Sequence, residues 1–341
     1  MIRLFAPGWI WRSAQALSLA LAIQGLAFAA QAASSYTVQV SPNVDLGVVT
    51  SAASGDTVFR VDPSTGAVTS ISGSATRSSS ASTHAVVTIS CTPAVTGDCA
   101  KNVTVALASA GAPSGRARAL TRIAFTMGTA VLAGGPGPPG GSAASFTIAP
   151  IGPNSSKTFF VGADMGVAGD DSGLPTGLAE ADFSVNMTEA TTNVTSSATG
   201  RFLATIIRSI AISKLSDLVF GRVATPPTGS GTVVIDPSTG ARSSSNGVAT
   251  FASPVPSRAA FNVSGEGGQA FSVTVPASFV MSGPQSMTVT TSSSVTGTPL
   301  LSGSLGSAGS FTFGVGGSAP ISSTTPNGDY SGSFTVTVAY N

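Results

Sequence analysis

The sequence predicts an all-β protein with two β-sandwich domains in tandem, and two observations lead to this prediction. The hexapeptide Asp-Pro-Ser-Thr-Gly-Ala occurs at Asp62–Ala67 and again at Asp236–Ala241, and apolar segments precede both copies at the same offset. A period of about 170 residues is too long for a solenoid repeat and is typical of a duplicated domain. In addition, β-branched and small polar residues alternate in short runs that Gly, Pro, Asn or Ser end, which is typical of strands.

The first domain is predicted at residues 33–200. It opens with the alternating segment Tyr36–Val40 and closes with Ala181–Thr188, in which Phe183, Val185 and Met187 share one face. The strands predicted between them are His84–Cys91, Lys101–Ala108, Leu120–Met127, Ser145–Ala149 and the apolar run 159–162. The run 134–141 contains nothing but Gly and Pro and predicts a solvated loop.

The second domain is predicted at residues 201–341. Its strands are predicted at Leu203–Ser213, Asp217–Val223, Gly231–Asp236, Gly247–Phe251, Ala259–Val263, Ala270–Val275, Ser286–Thr291, Gly309–Val315 and Ser333–Tyr340. In the last segment, Phe334, Val336, Val338 and Tyr340 share one face. Strands at this spacing predict a sandwich or barrel rather than βαβ units.

The first 32 residues have the pattern of a cleaved signal peptide. Arg3 and Arg12 precede an apolar stretch, and an A-x-A site ends at Ala32. A retained membrane anchor is the alternative, but it needs about 20 apolar residues and this stretch is shorter. We therefore expect secretion through the inner membrane to the periplasm, the cell surface or the medium. No integral membrane segment is predicted in the mature chain.

The composition limits the partners. Charged residues make up 9% of the chain and the net charge is +1, so no basic surface for nucleic acid is predicted. The 42% of hydrophobic residues predicts a folded chain, because disordered chains are poor in apolar residues.

The two cysteines, Cys91 and Cys99, flank a Pro/Gly-containing turn. In an exported chain this spacing predicts a structural disulfide, which would stabilise the fold by about 2–3 kcal/mol. A metal site lacks partners, because the sequence has one histidine, His84. No metal and no cofactor are predicted.

The sequence also predicts no catalytic residue. Asp62 and Asp236 occupy the first position of an Asp-Pro-Ser-Thr-Gly string, which favours a type I turn. His84 has no G-x-S-x-G nucleophile elbow to serve. The densest acidic region comprises Asp164, Asp170, Asp171, Glu180 and Asp182. A calcium loop is conceivable there, but the spacing fits no EF-hand and favours a solvated loop.

Four segments of the second domain carry a family resemblance: residues 210–221, Phe261–Gly265, Gln269–Pro276 and Gly328–Asn341. They resemble the bacterial family catalogued as domain of unknown function 4402. The terminal alternating strand is also similar to the endings of chaperone–usher pilins and of spore coat protein U-type domains. The family resemblance implies an immunoglobulin-like sandwich exported to the bacterial envelope, with no established activity. The pilin likeness suggests, by analogy, a subunit or adhesive component of a surface fibre.

Strand-like segments at the domain ends predict where strand exchange between copies could occur. The residues concerned are Tyr36, Val38, Val40, Ile206, Ile210, Phe334, Val336, Val338 and Tyr340. In the alternative arrangement, each segment is a strand of its own domain and covers its own edge. The sequence favours the second arrangement and leaves both open.

We therefore expect a non-enzymatic structural or adhesive protein of the bacterial surface, of which a fimbria-like subunit assembling by strand exchange is one form. Its expected partners are like subunits or a periplasmic chaperone. The alternative is a secreted ligand- or glycan-binding module. Glycans usually stack on tyrosine and tryptophan rings. The chain has only three tyrosines, and Trp9 and Trp11 lie in the predicted signal, so the scarcity of these rings counts against glycan binding.

Overall fold

The computed structural model describes residues 34–81, 83–135 and 141–341, and almost every regular element in them is a β-strand. The predicted signal peptide at 1–32 and part of the Gly/Pro loop lie outside the described residues. The described chain forms two β-sandwiches in tandem. One hydrophobic core lies within residues 36–206, and two smaller core clusters lie within residues 210–340.

The first sandwich contains thirteen strands: β1 Ser35–Val40, β2 Val44–Thr50, β3 Thr57–Val61, β4 Val68–Ser72, β5 Thr76–Arg77, β6 Ala85–Thr92, β7 Val103–Ser114, β8 Arg122–Met127, β9 Leu132–Gly134, β10 Ala143–Ile148, β11 Ser155–Val167, β12 Gly177–Glu189 and β13 Thr195–Ile207. A short 3₁₀ helix, Asp170–Ser172, lies between β11 and β12.

The strands of the first sandwich form two sheets. One has the order β1-β6-β11-β3-β4, with β8 also paired to β11, and the other has the order β5-β2-β13-β12-β7-β10-β9. Neighbouring strands are antiparallel except β2 and β13, which are parallel. The inner faces follow the period of two seen in the sequence: in β12, every second residue from Gly177 to Glu189 is buried. Five fully or almost fully buried phenylalanines fill the space between the sheets: Phe59, Phe146, Phe159, Phe183 and Phe202.

The second sandwich contains eleven strands: β14 Ala211–Ser216, β15 Val223–Ala224, β16 Ser230–Ile235, β17 Arg242–Ser244, β18 Ala249–Thr250, β19 Ala259–Glu266, β20 Phe271–Thr274, β21 Ser278–Met281, β22 Met287–Ser293, β23 Ala308–Ser322 and β24 Thr337–Tyr340.

The second sandwich repeats the strand order of the first. Its larger sheet, β14-β19-β23-β16-β17 with β22 also on β23, corresponds strand for strand to β1-β6-β11-β3-β4 with β8. The pair β15–β18 corresponds to β2–β5, and the pair β20–β24 corresponds to β7–β12. β14 to β19 follow β1 to β6 at about the spacing that separates the two hexapeptides. The internal repeat in the sequence is therefore a repeat of architecture.

The repeated hexapeptide forms the same turn in both sandwiches. The carboxylate of Asp62 accepts hydrogen bonds from the backbone N–H groups of Ser64 (2.8 Å) and Thr65 (2.9 Å). Asp236 accepts the equivalent bonds from Ser238 and Thr239. The glycine of each string has a positive φ, which a residue with a side chain rarely adopts. The two strings thus share a turn in which the Asp carboxylate accepts hydrogen bonds from backbone N–H groups of the same string.

The boundary between the two sandwiches lies later in the chain than the predicted boundary at residue 200. The segment Leu203–Ser213 was expected to open the second domain, but its first half belongs to β13, which pairs with β12 and β2 of the first sandwich. The predicted boundary at residue 200 therefore falls inside a strand. The physical reason is that Phe202, Ala204 and Ile206 are buried in the first core. The second sandwich begins its first strand at Ala211.

Candidate functional site: an open groove in the second sandwich

The first sandwich shows how the smaller sheet is closed. β13 lies between β2 and β12 and pairs with both of them, parallel to one and antiparallel to the other. The backbone groups on the facing edges of β2 and β12 are therefore used by β13. Its inward side chains Phe202, Ala204 and Ile206 are at most 1% exposed.

The second sandwich has no strand at this position within residues 211–341. β15 pairs with β18 on one side, β24 pairs with β20 on one side, and the two pairs form separate sheets. No other described strand pairs with the second edge of β15 or of β24, and an unpaired edge is the type that accepts another strand. We call this space, bounded by β15 and β24, the open groove.

Side-chain burial along β24 shows the effect of the missing strand. Phe183, Val185 and Met187 on β12 are fully buried. Their counterparts at the groove are the alternating residues at the C-terminal end of the second sandwich, all half-buried: Phe334, Val336 and Val338. The alternation predicted for Ser333–Tyr340 is present, although the hydrogen-bonded strand covers Thr337–Tyr340.

The opposite side of the groove shows the same contrast. Val44, Leu46 and Val49 are completely buried around β13 in the first sandwich. The residues at the same offset in the second sandwich are half-buried: Leu218, Phe220 and Val223. Leu218 packs on one core cluster and Phe220 and Val223 on the other, so the second core is divided where the first is continuous.

The contact between β13 and β12 shows what an occupant must look like. Phe183 packs edge-on against Phe202 at 5.8 Å between ring centroids. Directly opposite Phe183 is Gly200, and a Cβ atom at that position would lie 2.2 Å from the Phe183 ring. The phenylalanine of β12 therefore requires a glycine or another very small residue facing it. Phe334 is its counterpart in the open groove.

The residues predicted for strand exchange are divided between the two sandwiches. Ile210, Phe334, Val336, Val338 and Tyr340 pack against the same core cluster of the second sandwich, beside the open groove. The others lie in the first sandwich: Tyr36, Val38 and Val40 on β1, which pairs with β6, and Ile206 on β13. In the monomer β1 therefore covers its own sandwich.

Tyr36 is imperfectly accommodated in that position. Its side chain is 6% exposed, and its hydroxyl oxygen is buried without a hydrogen-bond partner among the described residues. Burial raises the pKa of Tyr36, and the charges of Glu189 and Asp98 raise it further. A buried hydroxyl without a partner costs about 1–3 kcal/mol, so β1 is held less favourably than its burial suggests.

A buried polar cluster joins the groove to the first sandwich. Glu266, at the end of β19, is completely buried and accepts hydrogen bonds from Thr176 Oγ1 (3.0 Å), the Arg208 backbone N–H (3.1 Å) and the Gly306 N–H (2.6 Å). The Arg208 guanidinium pairs with the same carboxylate at 2.9 Å. The hydroxyl of Tyr340 accepts the Glu266 N–H and donates to the Arg208 carbonyl. The last residue of β24 is thus anchored at the junction.

Asp170 makes a second connection at the junction. Its carboxylate accepts hydrogen bonds from Ser51, from the backbone and hydroxyl of Ser209, and from the buried guanidinium of Arg116. Burial raises the pKa of Asp170, but the hydrogen bonds from Ser209, Arg116 and Ser51 outweigh it and lower the pKa. The lowered pKa keeps the Asp170 carboxylate charged, and its hydrogen bonds with Ser209 fix the linker that follows β13.

Three of the other acidic residues of this region have separate partners, whereas the buried Oδ1 of Asp182 has no hydrogen-bond partner among the described residues. Asp164 pairs with Arg60 at 2.7 Å, Glu180 pairs with Arg201 at 3.2 Å, and Asp171 accepts the Gly55 N–H. In the parts of the chain that the structure describes, no group of three or more His, Cys, Asp or Glu side chains could hold a metal ion. The structure thus disperses the acidic cluster seen in the sequence.

The cysteine pair and His84, the remaining residues considered for chemistry, lie in structural contacts. Cys91 on β6 and Cys99 before β7 form a disulfide with an S–S distance of 2.07 Å, which confirms that prediction. The ring of His84 packs on Phe160 at 4.6 Å, and its buried Nδ1 has no hydrogen-bond partner among the described residues. Across residues 34–81, 83–135 and 141–341, no helix combines the length and apolar character needed to span a bilayer.

Sequence reasoning missed three features: the placement of β13, the open groove and the Glu266 cluster. The run that ends at Ile206 alternates like any other strand, so its pattern does not show which sandwich it joins. Arg208 and Glu266 are single charged residues far apart in sequence, which gives no pattern to detect.

One family model matches part of the chain. Residues 210–340 match the family model described as "Domain of unknown function (DUF4402)", which confirms the resemblance for the second sandwich. No curated protein matches the sequence significantly.

Two solved structures show distant likeness. One is BcpA, the major pilin subunit of Bacillus cereus, at 10% identity and a TM-score of 0.26; the match covers 70% of this chain and spans 60% of the pilin chain. The other is a chaperone–tip adhesin complex of CFA/I fimbriae, at 10% identity and a TM-score of 0.25, covering 89% of this chain and 98% of that chain. The family match covers the second sandwich, and the internal repeat relates the first sandwich to the second.

Proposed function

We propose that this protein is a non-enzymatic structural subunit of an exported assembly, and that copies associate when a strand of one copy fills the open groove of another. The single observation that carries the proposal is that, within residues 211–341, no strand lies between β15 and β24, the position that β13 occupies in the first sandwich. The groove has two free strand edges and an apolar floor, which is the combination that binds an extended segment by β-strand addition.

The energy available in the groove is sufficient for association. Fully burying a large apolar side chain is worth about 1.5–3 kcal/mol. An occupant that contributes about four such side chains would thus gain roughly 6–12 kcal/mol, in addition to covering half-buried residues such as Val336 and Phe220. Association costs an estimated 4–15 kcal/mol in lost freedom, so the groove supports binding when its backbone edges are paired as well.

Like subunits are the partners that this proposal favours, and a periplasmic chaperone that covers the groove before assembly is compatible with it. The expected secretion to the bacterial surface fits the same role. A structural role also agrees with the observed chemistry, because arginines and hydroxyls bind the carboxylates of Asp164, Asp170 and Glu266. An adhesive role would use the surfaces that remain free after assembly.

The test measures association of residues 33–341, which exclude the predicted signal. We expect wild-type protein to self-associate with increasing concentration in sedimentation velocity, and Val336→Asp to remain monomeric because it places a charge in the groove. Thr335→Asp is the matched control, because Thr335 is exposed beside it. Melting curves of both variants test whether they are folded.

A second measurement uses a synthetic peptide with the sequence of β13, residues 195–207. We expect it to bind wild-type protein and to raise the melting temperature, and we expect Val336→Asp to abolish binding. A wild-type chain that neither associates nor binds this peptide contradicts the proposal. Immunogold labelling of intact cells then tests whether the assembled protein reaches the surface.

A further inference from the structure

One end of the second sandwich carries an exposed aromatic ring between two arginines. The guanidinium carbon of Arg222 lies 5.0 Å from the centre of the Phe251 ring, and the Arg242 guanidinium donates a hydrogen bond of 2.6 Å to the Phe251 carbonyl. We call these three residues the arginine patch. We propose that the arginine patch binds the carboxylate or phosphate groups of an acidic polysaccharide. This binding would be independent of strand exchange between copies.

The first observation is that Arg222 has its hydrogen-bonding groups free. Its side chain is exposed, and it forms no hydrogen bond and no ion pair within residues 34–81, 83–135 and 141–341. The ring of Phe251, itself 42% exposed, holds the guanidinium by a cation–π contact. A guanidinium carries five N–H groups in a fixed fork that matches carboxylate and phosphate oxygens. Arg222 is thus an oriented cation without an internal anion.

The second observation is that Arg242 also keeps its charge. Its guanidinium donates to the carbonyl oxygens of Phe220 (2.9 Å) and Phe251, so two of its five N–H groups have a partner in the described part of the chain. Both partners are neutral. A Cβ atom on Gly221 would lie 2.5 Å from Arg242 Nη1, which places this guanidinium beside the residue that precedes Arg222. The two positive charges therefore lie on one small surface.

The third observation comes from the first sandwich, where one arginine does the structural work. Arg77 donates to the carbonyl of Leu46, and Arg242 donates to the carbonyl of Phe220, which is the residue at the same offset. Arg222 makes no such contact, and at its offset the first sandwich has a valine. The fold at this end is therefore built without an arginine at the position of Arg222.

The balance of charge at this end differs in the same direction. In the first sandwich Asp45 lies close enough to the equivalent arginine for its charge to act on it. The residue at the same offset in the second sandwich is Val219. The acids nearest in sequence have other partners, because Asp217 pairs with Lys214 at 2.7 Å and Asp236 accepts hydrogen bonds from its own turn. The arginine patch thus keeps its positive charge for an external anion.

The surroundings of the patch favour a polysaccharide as the ligand. Val255 is 77% exposed and follows Pro254, whose carbonyl would lie 2.8 Å from a Cβ atom on Gly221. The ring and the valine offer apolar contacts to the C–H groups of a sugar, and the arginines pair with its anionic groups. Two cations on a chain of net charge +1 are too few for a nucleic-acid surface. Ionic recognition also does not depend on the tyrosine and tryptophan rings that are scarce in this sequence.

The experiment measures binding of residues 33–341 to carboxymethyl-dextran, with uncharged dextran of the same length as the reference. We expect binding to carboxymethyl-dextran alone, weakened by salt because exposed ion pairs are screened. Arg222→Glu should weaken the affinity about fivefold to twentyfold, because it removes an exposed ion pair and adds a repulsion of similar size. Its melting temperature should be unchanged, since Arg222 makes no hydrogen bond in the described chain.

Three control variants separate the patch from net charge, apolar bulk and assembly. Lys101→Glu makes the same change of charge at an exposed position of the first sandwich and should bind like wild type. Phe251→Leu keeps an apolar side chain without the ring and should weaken binding about twofold to fivefold, the equivalent of an exposed cation–π contact. Val336→Asp, which blocks the open groove, should keep the same affinity per chain.

Two results would overturn the proposal directly. One is the absence of binding to carboxymethyl-dextran. The other is an equal loss of affinity in Arg222→Glu and Lys101→Glu, which would reflect net charge alone. Vesicles of phosphatidylglycerol and phosphatidylcholine are tested in parallel. If these vesicles bind through Arg222 and the polysaccharide does not, the patch recognises an anionic membrane surface and the assignment to a polysaccharide is wrong.

Discussion

The two sandwiches of this protein share a strand order and differ by one strand. In the first, β13 closes the smaller sheet, and the residues around it are fully buried. In the second, the equivalent position is open, and every counterpart we compared is half-buried. A repeat within one chain thus provides its own reference: the closed copy shows which strand the open copy lacks and what shape of strand would complete it.

The largest expected effect tests this comparison directly. Phe183→Ala should reduce the free energy of unfolding of the first sandwich by about 3–5 kcal/mol, because a fully buried phenylalanine is lost. Phe334→Ala at the equivalent position should cost roughly half as much in the monomer, because its ring is half-buried. Chemical denaturation of both variants measures the difference. Equal losses would mean that the groove is closed in solution.

The next effect concerns the junction. Arg208→Ala leaves the buried carboxylate of Glu266 without its cation and should cost about 3 kcal/mol. The two sandwiches should then unfold in separate calorimetric transitions. Arg201→Ala is the matched control, because its ion pair with Glu180 is largely exposed and is worth about 0–1 kcal/mol. A single unchanged transition in Arg208→Ala would show that the cluster does not couple the sandwiches.

Reduction of the disulfide should affect one sandwich more than the other. Breaking Cys91–Cys99 should lower the stability of the first sandwich by about 2–3 kcal/mol and leave the second unchanged. Calorimetry of Arg208→Ala, in which the two transitions are expected to separate, with and without reductant measures this shift, and the additional substitutions Cys91→Ala and Cys99→Ala give a non-reducible reference. A shift confined to the second transition would contradict the assignment of the bond to the first core.

The smallest expected effect is a pH dependence at the repeated turn. A hydrogen bond from the Ser64 hydroxyl and others from the Ser64 and Thr65 N–H groups lower the pKa of Asp62 to about 2. The lowered pKa means that the turn is stabilised above about pH 4 and loses this stabilisation as the pH falls to about 2, by about 1 kcal/mol after allowance for exposure. Asp62→Asn should flatten this part of the stability curve. Hydrogen bonds from Thr239 and Ser238 also lower the pKa of Asp236. We therefore expect the turn of the second sandwich to lose stability in the same direction as the pH falls.

Much of the fold could be predicted because its signals are local. The hexapeptide repeat, the alternation of Phe334 and Val336, and the short Cys91–Cys99 ring all depend on residues that are close in sequence. The position of β13 could not be predicted in this way, because an alternating strand looks the same whichever sandwich it joins. The groove escaped prediction for a related reason: β24 has the same pattern whether its outer edge is paired or free.

The contact of Tyr340 with Arg208 has a mechanical consequence. The hydroxyl at the end of β24 holds the linker carbonyl, and the same linker is fixed by Glu266 and Asp170. Tension applied to a strand lying in the groove would pass through β24 to the linker and then into the neighbouring sandwich, with no slack segment to stretch first. A string of such subunits would behave as a row of stiff links, each two sandwiches long.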